Sequence, residues 1–564
     1  MPARLVGVAE TEEVEAEETK TLLEGRGDFR PVPRARRKAV QERQRWSGPA
    51  NAAEDLERRA VELDGNAFTA SEPGIGGHSC ISRTPVGHSE RMSVTVNDVH
   101  AQLNEAIVSD VVAVDSLEAV QAAVRRAAEE ETPVAIAGGR HAMGGQQFCS
   151  GGLLLDTRRM ARVIGFDADA GTLEVEAGMQ WPGVIEYLVD TQAGREPQWG
   201  IAQKQTGADR LSLGGALAAN VHGRGLAMKP IIADVESFVL VRPDGEAITC
   251  SREENDELFR LAIGGYGLFG CVYSVRLRLL PRRTLMRVVE VREIDELMQL
   301  FEERSRDGFL YGDFQFATDP MSDDFLRRGV FSCYRPIERS APPPSDQRAL
   351  SHDDWQRLIY LAHTNKSEAF KQYSTHYVAT SGQIYYSDAH QFADYTDGYH
   401  ARIDELTHAT CPSTEMITEI YVPRERLADF MGAVADEFRA NEVNLIYGTI
   451  RLIERDDESF LAWATDRWAC IIFNLCTQHT PEGIARAGDT FRRLIDLGIA
   501  RGGKYYLTYH RWARRDQVER CYPQFVEFLR RKRQWDAAGR FESDWYRHYV
   551  AMFADSLDAE QVST

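Results

Sequence analysis

The chain has 564 residues, more than one hydrophobic core usually supports, so two domains with tails are expected. Its 86 acidic and 66 basic residues give a net charge of −20, which disfavours general binding to nucleic acid or to an anionic membrane. No apolar run reaches the about 18 residues of a membrane span, and the nine cysteines form no C-x-x-C pair, so we expect a soluble cytoplasmic protein without a zinc or disulfide framework.

Residues 1–92 differ in composition from the rest of the chain. Six glutamates fall between Glu10 and Glu18, a basic run occupies residues 31–38, and residues 71–79 are rich in glycine and serine. Such segments bury too little apolar surface to offset the entropy of ordering them. We therefore predict a disordered N-terminal extension over 1–92, with a translation start at Met92 as an alternative.

From residue 110 the pattern predicts alternating strands and helices. Residues 115–130 predict a helix capped by Asp115, with apolar side chains on one face. The short strand Val134–Ala137 then leads into a glycine-rich loop. Further strands are predicted at 153–156, 172–176, 235–241, 246–250 and 271–280, the third and fourth as a hairpin.

Three glycine-rich segments indicate a nucleotide cofactor when they are taken together. Residues 138–145 hold four glycines in eight positions, so successive N–H groups can curl inward into a nest for a pyrophosphate. Residues 205–225 combine Gly214 and Gly215 with small alanines and three polar side chains, which leaves room for a flat ring. Residues 264–273 form a glycine-dense entry into a strand. Each segment alone could equally be a turn, a small-residue packing segment with a core histidine, or a β-bulge.

In this order and spacing, the three segments resemble the FAD domain of the vanillyl-alcohol-oxidase and p-cresol-methylhydroxylase (PCMH) superfamily. Residues 502–511, 522–523 and 530–544 resemble the closing segment of decaprenylphosphoryl-ribose oxidases and of alditol and aldonolactone oxidases. The resemblance covers about residues 100–560. It implies an α+β fold with a two-subdomain PCMH-type FAD-binding domain at 93–283, an α+β substrate (cap) domain at 284–503, and a C-terminal segment, 504–564, that returns to the FAD domain.

The resemblance also implies which residues bind FAD. The loop would hold the pyrophosphate, the second segment would line the flavin and its ribityl chain, and two further residues would contact the cofactor. These residues are Ala137, Gly138, Gly139, Arg140, His141, Ala142, Met143, Gly144, Gly145 and Gln146 for the loop, Gly207, Ser212, Leu213, Gly214, Gly215, Ala219, Asn220 and His222 for the second segment, and Val272 and Tyr506.

His141 is the expected point of a covalent bond to FAD. Covalent relatives carry a histidine in a G-x-G-H-S or G-x-R-H-S loop, and this chain reads Gly-Arg-His-Ala over residues 139–142. The alternative is a histidine that only forms hydrogen bonds. A second, cysteinyl bond is not expected, because Ala208 stands where doubly linked relatives have cysteine.

For catalysis, the resemblance points to Tyr509, assisted by His510 and Arg451, with Glu419 as the next candidate. In decaprenylphosphoryl-ribose oxidases, the position of Tyr509 holds a lysine near the flavin. The position of Glu419 holds a glutamine that faces the substrate, and that of Arg451 holds a lysine on the substrate side. Strand alternation over 504–511 puts Tyr509 and Tyr506 on opposite faces, and since both positions match flavin neighbours, we expect a bend or bulge there. Tyr509 would need a cationic neighbour such as Arg451 to act as a base. The alternative is that Tyr509 only packs in the wall and His510 in the core.

We expect an FAD-dependent oxidoreductase that oxidises an alcohol, polyol or sugar-like carbinol by hydride transfer to flavin N5, with oxygen or another acceptor taking the electrons. No metal is expected. One alternative is a reductase of carbon–carbon double bonds, although no second dinucleotide motif for NADPH is evident. The other is a flavin-binding protein without turnover.

Overall fold

The structure is a computed structural model that describes residues 93–338, 341–392 and 398–558. The N-terminal extension predicted over 1–92 lies outside these residues. The described residues all belong to one compact unit. None of the helices in these ranges is both long and apolar enough to cross a bilayer.

The first sheet is parallel and has three strands. Leu153–Asp156 lies in its centre, between Asp110–Ala113 and Val134–Ala137. Helix Leu117–Glu129 provides the crossover that a parallel pair requires. The predicted cap at Asp115 is wrong, because the hydroxyl of the extended residue Ser116 accepts the N–H of Ala119 and the helix begins at Leu117.

A five-stranded antiparallel sheet follows, and it contains the predicted hairpin with its second strand displaced by one residue. The last predicted strand ends at Arg278 rather than 280. The strands lie in the order Ala247–Ser251, Val235–Val241, Cys271–Arg278, Thr172–Glu176 and Val163–Asp167. Two small pairs are Val94–Val96 with Ala106–Val108, and Trp199–Gly200 with Leu280–Pro281. The helices of this part are Trp181–Thr191, Leu213–Ala219 and Asp256–Ala262.

The largest sheet is antiparallel and has eight strands. Their order is Ile384–Tyr386, Thr284–Glu293, Arg328–Pro336, Tyr311–Phe316, Leu445–Ile453, Trp468–Gln478, Ser413–Pro423 and Lys504–Tyr505. The accompanying helices are Ile294–Arg306, His352–Thr364, Lys366–Val378, Tyr399–Leu406, Leu427–Ala440 and Pro481–Ile499. The mixture of sheets and helices confirms the predicted α+β fold class.

After its short strand in the large sheet, the chain returns to the parallel sheet. The Val134 N–H donates to the carbonyl of Arg540 at 2.6 Å, and the Asp544 N–H donates to Phe148. The Arg540 guanidinium binds the carbonyl of Ala127 at the end of the first helix, where a cation is favourable. The helices of this segment are Arg515–Cys521, Phe525–Trp535, Asp544–Met552 and Ala554–Asp558. The exact domain boundaries remain predictions.

Strand register in the large sheet places polar side chains on one face. Cys470 is paired directly with both Tyr421 and Arg451, so these three residues lie in one row across three strands. Glu419 lies two residues from Tyr421 and therefore projects from the same face. This face carries the side chains of the candidate site.

Candidate active site

A cavity of about 760 Å³ lies between the glycine loop, helix Leu213–Ala219 and the polar face of the large sheet. Its volume is within the range of cofactor and substrate sites. Polar side chains from the cap strands line one part of it, and glycine and alanine line another. Helices His352–Thr364 and Lys366–Val378 add aromatic and aliphatic side chains.

The glycine loop can approach its neighbours only because it lacks side chains. A Cβ atom at Gly138 would overlap the side chain of Ser212, and one at Gly139 would lie 2.7 Å from the His141 ring. Arg140 adopts the left-handed region with φ 59° and pairs with Asp156 at 3.4 Å. Gly138 and Gly139 therefore bring backbone close to the cavity wall, as a phosphate nest requires.

Several buried polar atoms at the cavity wall have no protein partner. They are Arg140 Nε, Thr206 Oγ1, Arg451 Nε and Asn474 Oδ1. Buried polar groups are normally hydrogen-bonded, so such atoms indicate a polar ligand or ordered water. Together with the glycine wall, they fit a large, polar cofactor such as FAD.

Most of the residues predicted to bind FAD line this cavity. They are Gly138, Gly139, Arg140, His141, Ala142, Met143, Gln146, Gly207, Ser212, Gly214, Gly215, Ala219, His222, Val272 and Tyr506. Five others lie behind the wall, namely Ala137, Gly144, Gly145, Leu213 and Asn220. Asn220 ends its helix with φ 49°, and its amide donates to Asp456 at 2.9 Å. These contacts give Asn220 a structural role at the end of the helix, and its predicted place beside the flavin stays a prediction.

His141 is held in its neutral form. Its Nδ1 lies 2.8 Å from Nε2 of His100, and its ring also bonds the carbonyl of Arg210. Burial, followed by the charge of His100, lowers the pKa of His141 to about 3. Since a carbonyl can only accept, the ring N–H points at Arg210, and the lone pair of Nδ1 accepts from His100.

Glu419 is the centre of a buried hydrogen-bond cluster beside the cavity. Tyr509 donates to Oε1 at 2.8 Å and Tyr421 donates to Oε2 at 2.7 Å. Burial alone would raise the pKa of Glu419, but the attraction of His222 and these hydrogen bonds hold it below its ordinary value. The carboxylate is therefore ionised at neutral pH and can accept a proton.

His222 completes this cluster. Its Nδ1 lies 3.0 Å from the Gly223 carbonyl, and its Nε2 lies 3.0 Å from Oε2 of Glu419. Both partners are acceptors, so the ring is the donor in these contacts. His222 therefore supports the ionised form of Glu419.

Cys470 brings a third possible metal ligand to the pair. Its Sγ atom, His222 Nε2 and a Glu419 oxygen all lie within 4.8 Å of one another. Burial and the charge of Glu419 raise the pKa of Cys470 well above its ordinary value, whereas a metal needs the thiolate. The short His222–Glu419 contact favours a hydrogen-bonded cluster over a metal site.

The predicted assistance of His510 in catalysis gains no support from its position. Its side chain is only 1% exposed, stacks on Phe491 at 4.7 Å and does not reach the cavity. Burial lowers its pKa to about 3. The strand ends at Tyr505 and a turn follows, as the expected bend requires, so Tyr506 and Tyr509 both face the cavity while His510 enters the core.

The predicted activation of Tyr509 by a cation is also corrected. Burial, and then the charge of Glu419, raise the pKa of Tyr509 well above its ordinary value. Arg451 is only 7% exposed, lines the cavity and pairs with no carboxylate of the described residues. Tyr509 can therefore relay a proton to Glu419, but it cannot serve as an anionic base.

Comparisons with known proteins agree with this geometry. A family model described as an FAD binding domain matches residues 108–251, which span the parallel sheet, the glycine loop and helix Leu213–Ala219. Together with the similarity to the relatives below, this match supports an FAD-dependent oxidoreductase with a PCMH-type FAD-binding domain.

Three relatives indicate the breadth of this family. L-gulono-1,4-lactone dehydrogenase of Mycobacterium tuberculosis is 24% identical over 334 residues, covering 57% of this chain and 70% of the relative. Cytokinin dehydrogenase 2 of Arabidopsis thaliana is 24% identical over 438 residues, covering 72% and 81%. An uncharacterized oxidoreductase of Rhodococcoides fascians is 31% identical over 183 residues, covering 32% and 39%.

Sequence reasoning missed two residues of this oxidoreductase's cavity region. Tyr421 lies two residues from Glu419 on a strand, so strand periodicity could have identified it. Arg287 lies on another cap strand and gave no signal in the sequence, because nothing local distinguishes it from other cap arginines.

We expect the stability of this oxidoreductase to depend on pH through His363. Its Nε2 lies 3.3 Å from Oε1 of Glu415, and although burial alone would lower its pKa, Cys476 and Glu415 raise it to about 9. Because the pKa of His363 is raised in the folded protein, its protonated form stabilises the fold. This contribution is complete at pH values below the pKa of the unfolded state, about 6.5, and is lost as the pH rises through 9. Urea unfolding should show a loss of at most roughly 3 kcal/mol over this window. His363→Gln should flatten the dependence, and an unchanged profile in that variant would contradict the assignment.

Proposed function

We propose that this FAD-dependent oxidoreductase oxidises an alcohol or sugar-like carbinol, with Glu419 as the final proton acceptor. The observation that carries the proposal is the buried carboxylate that accepts hydrogen bonds from Tyr509 and Tyr421 and contacts His222 beside the cavity. A carbinol must lose a hydroxyl proton as well as a hydride, and this cluster provides a place for the proton. FAD, when bound, accepts the hydride.

The proton path uses atoms that are already in contact. A substrate hydroxyl next to Tyr509 would pass its proton to the phenol oxygen while the phenol proton moves to Oε1 of Glu419, 2.8 Å away. The contact of His222 Nε2 with Oε2, at 3.0 Å, holds the carboxylate in this position. Arg451, which lacks a carboxylate partner among the described residues, would stabilise the developing negative charge on the substrate oxygen.

Anaerobic mixing with a substrate panel tests the function. The panel should contain aldonolactones, alditols, aromatic alcohols and a cytokinin, because the relatives include a lactone dehydrogenase and a cytokinin dehydrogenase. Bleaching of the flavin by a carbinol supports the proposal. Bleaching only by the cytokinin, or only by NADPH, would replace it with a different dehydrogenase or with a reductase, and no bleaching by any compound would favour binding without turnover.

We also propose that His141 forms a covalent bond to the flavin. The support is that this histidine lines the cavity and is neutral at physiological pH, with the lone pair of Nδ1 directed at His100. Acid-precipitated wild-type protein should stay yellow and show a fluorescent band on a denaturing gel. His141→Ala should release all of its FAD into the supernatant, whereas His100→Ala removes a ring neighbour and leaves the bonding residue in place. Complete release of FAD from the wild type would contradict the bond.

A further inference from the structure

The cap end of the cavity contains a second buried arginine. Arg287 lies on strand Thr284–Glu293, is 8% exposed and lines the cavity. In the strand order of the large sheet, its strand and the strand of Glu419 are five strands apart. At about 4.8 Å per strand, the two residues lie on the order of 20 Å apart along the sheet.

Tyrosine rings surround this guanidinium group. Its central carbon lies 4.4 Å from the centre of the Tyr377 ring and 5.6 Å from that of Tyr334. The Nε–H donates to the hydroxyl of Ser332 at 3.0 Å. The faces of the guanidinium are therefore covered by rings, which leaves its edge for hydrogen bonding.

Arg287 has no carboxylate partner in the part of the chain that the structure describes, although its neighbour does. Arg224 contacts the same Tyr334 ring at 5.0 Å, and it pairs with Asp313 at 3.1 Å. A buried cation without a counterion is strongly unfavourable, and aromatic faces offset only part of that cost. This end of the cavity therefore carries an excess positive charge.

We infer that the Arg287 end of the cavity binds an anionic group of the substrate, a carboxylate or a phosphate. The guanidinium edge can pair with two oxygens of one anionic group at once. The tyrosine rings favour a substrate whose anionic group is attached to a flat, apolar part. The distance to Glu419 means that the anion lies remote from the reacting carbon, so it would act in binding and specificity. The inference rests on the proposed function only in identifying this cavity as the substrate cavity.

Binding of small aromatic anions to the FAD-loaded enzyme tests this inference. Titration calorimetry should compare the affinities of the anions benzoate and phenyl phosphate with that of benzamide, a neutral molecule of similar shape. At least one anion should bind tenfold or more tightly than benzamide, since hydrogen bonds to charged groups contribute on that scale. The anion that binds better distinguishes a carboxylate from a phosphate substrate.

Variants locate the bound anion. Arg287→Met should weaken anion binding at least tenfold and leave benzamide unaffected, whereas Arg451→Met should preserve anion binding. If Arg287→Met fails to load FAD, Arg287→Lys serves instead, because it keeps the charge but loses the paired geometry and should bind the anion more weakly. Equal binding of anions and benzamide by the wild type, or loss of anion affinity only in Arg451→Met, would overturn the inference. Flavin reduction by carbinols is a separate measurement, so failure of the proposed function can be distinguished from failure of this subsite.

Discussion

Replacement of Glu419 by Gln is expected to slow flavin reduction by the substrate by about 100-fold or more, the usual scale of general-base catalysis. Gln has nearly the same shape and can still accept the Tyr509 hydrogen bond, which is 2.8 Å long in the native enzyme. It cannot take up the substrate proton at neutral pH. The rate constant should be measured by anaerobic stopped-flow absorbance at saturating substrate.

Matched variants separate chemistry from damage to the fold. Glu415→Gln removes another buried carboxylate of strand Ser413–Pro423, and its reduction rate should stay within several-fold of the wild type. Tyr509→Phe should slow reduction through loss of the relay, and His510→Ala should lower stability while leaving the rate near normal. A normal rate in Glu419→Gln with full FAD content would exclude Glu419 as the proton acceptor.

Replacement of Gly139 by Val is expected to give colourless protein. A Cβ atom at this position would lie 2.7 Å from the His141 ring and would overlap the carbonyl of Arg210, which is backbone and cannot move alone. The branched side chain would also fill the nest proposed for the pyrophosphate. Bound FAD should be measured from absorbance after purification and after reconstitution with excess cofactor.

Gly165→Val is the matched control for this change. Gly165 lies on strand Val163–Asp167, and a Cβ atom there would meet no atom within 4 Å. Because valine favours strands, this variant should be yellow and as stable as the wild type. Circular dichroism must show that Gly139→Val is folded. Full FAD occupancy in a folded Gly139→Val protein would place the pyrophosphate elsewhere.

The elements that the sequence predicted well are those whose signal is local. The strand before the glycine loop and the hairpin each depend on contiguous residues whose periodicity determines backbone conformation. The errors fall at ends and turns. The first helix begins after Ser116 because two adjacent residues could cap it, and only the observed hydrogen bond distinguishes them.

The proton-accepting cluster could not be predicted in the same way. Its two central members, His222 and Glu419, are 197 residues apart in the chain and meet only because the large sheet packs beside the flavin segment. Resemblance identified Glu419 and Tyr509 as candidates, but it could not show which neighbour would act on them. The structure brings Tyr509 together with Glu419, His222 and Tyr421 in one hydrogen-bonded cluster and places His510 outside it.

The sequence by itself indicated a pyrophosphate nest after a buried strand, because glycine spacing and apolar periodicity act through local backbone geometry, and its resemblance to a known family implied FAD and the α+β fold class. The tertiary structure alone decided which polar side chains share the cavity. One turn after Tyr505 sends His510 into the core and Tyr509 to the cavity, and the strand order places Arg287 at the far end from Glu419. These outcomes depend on strand pairing and on packing between segments that are far apart in the chain. The energies of such interactions cannot be inferred from a local sequence pattern.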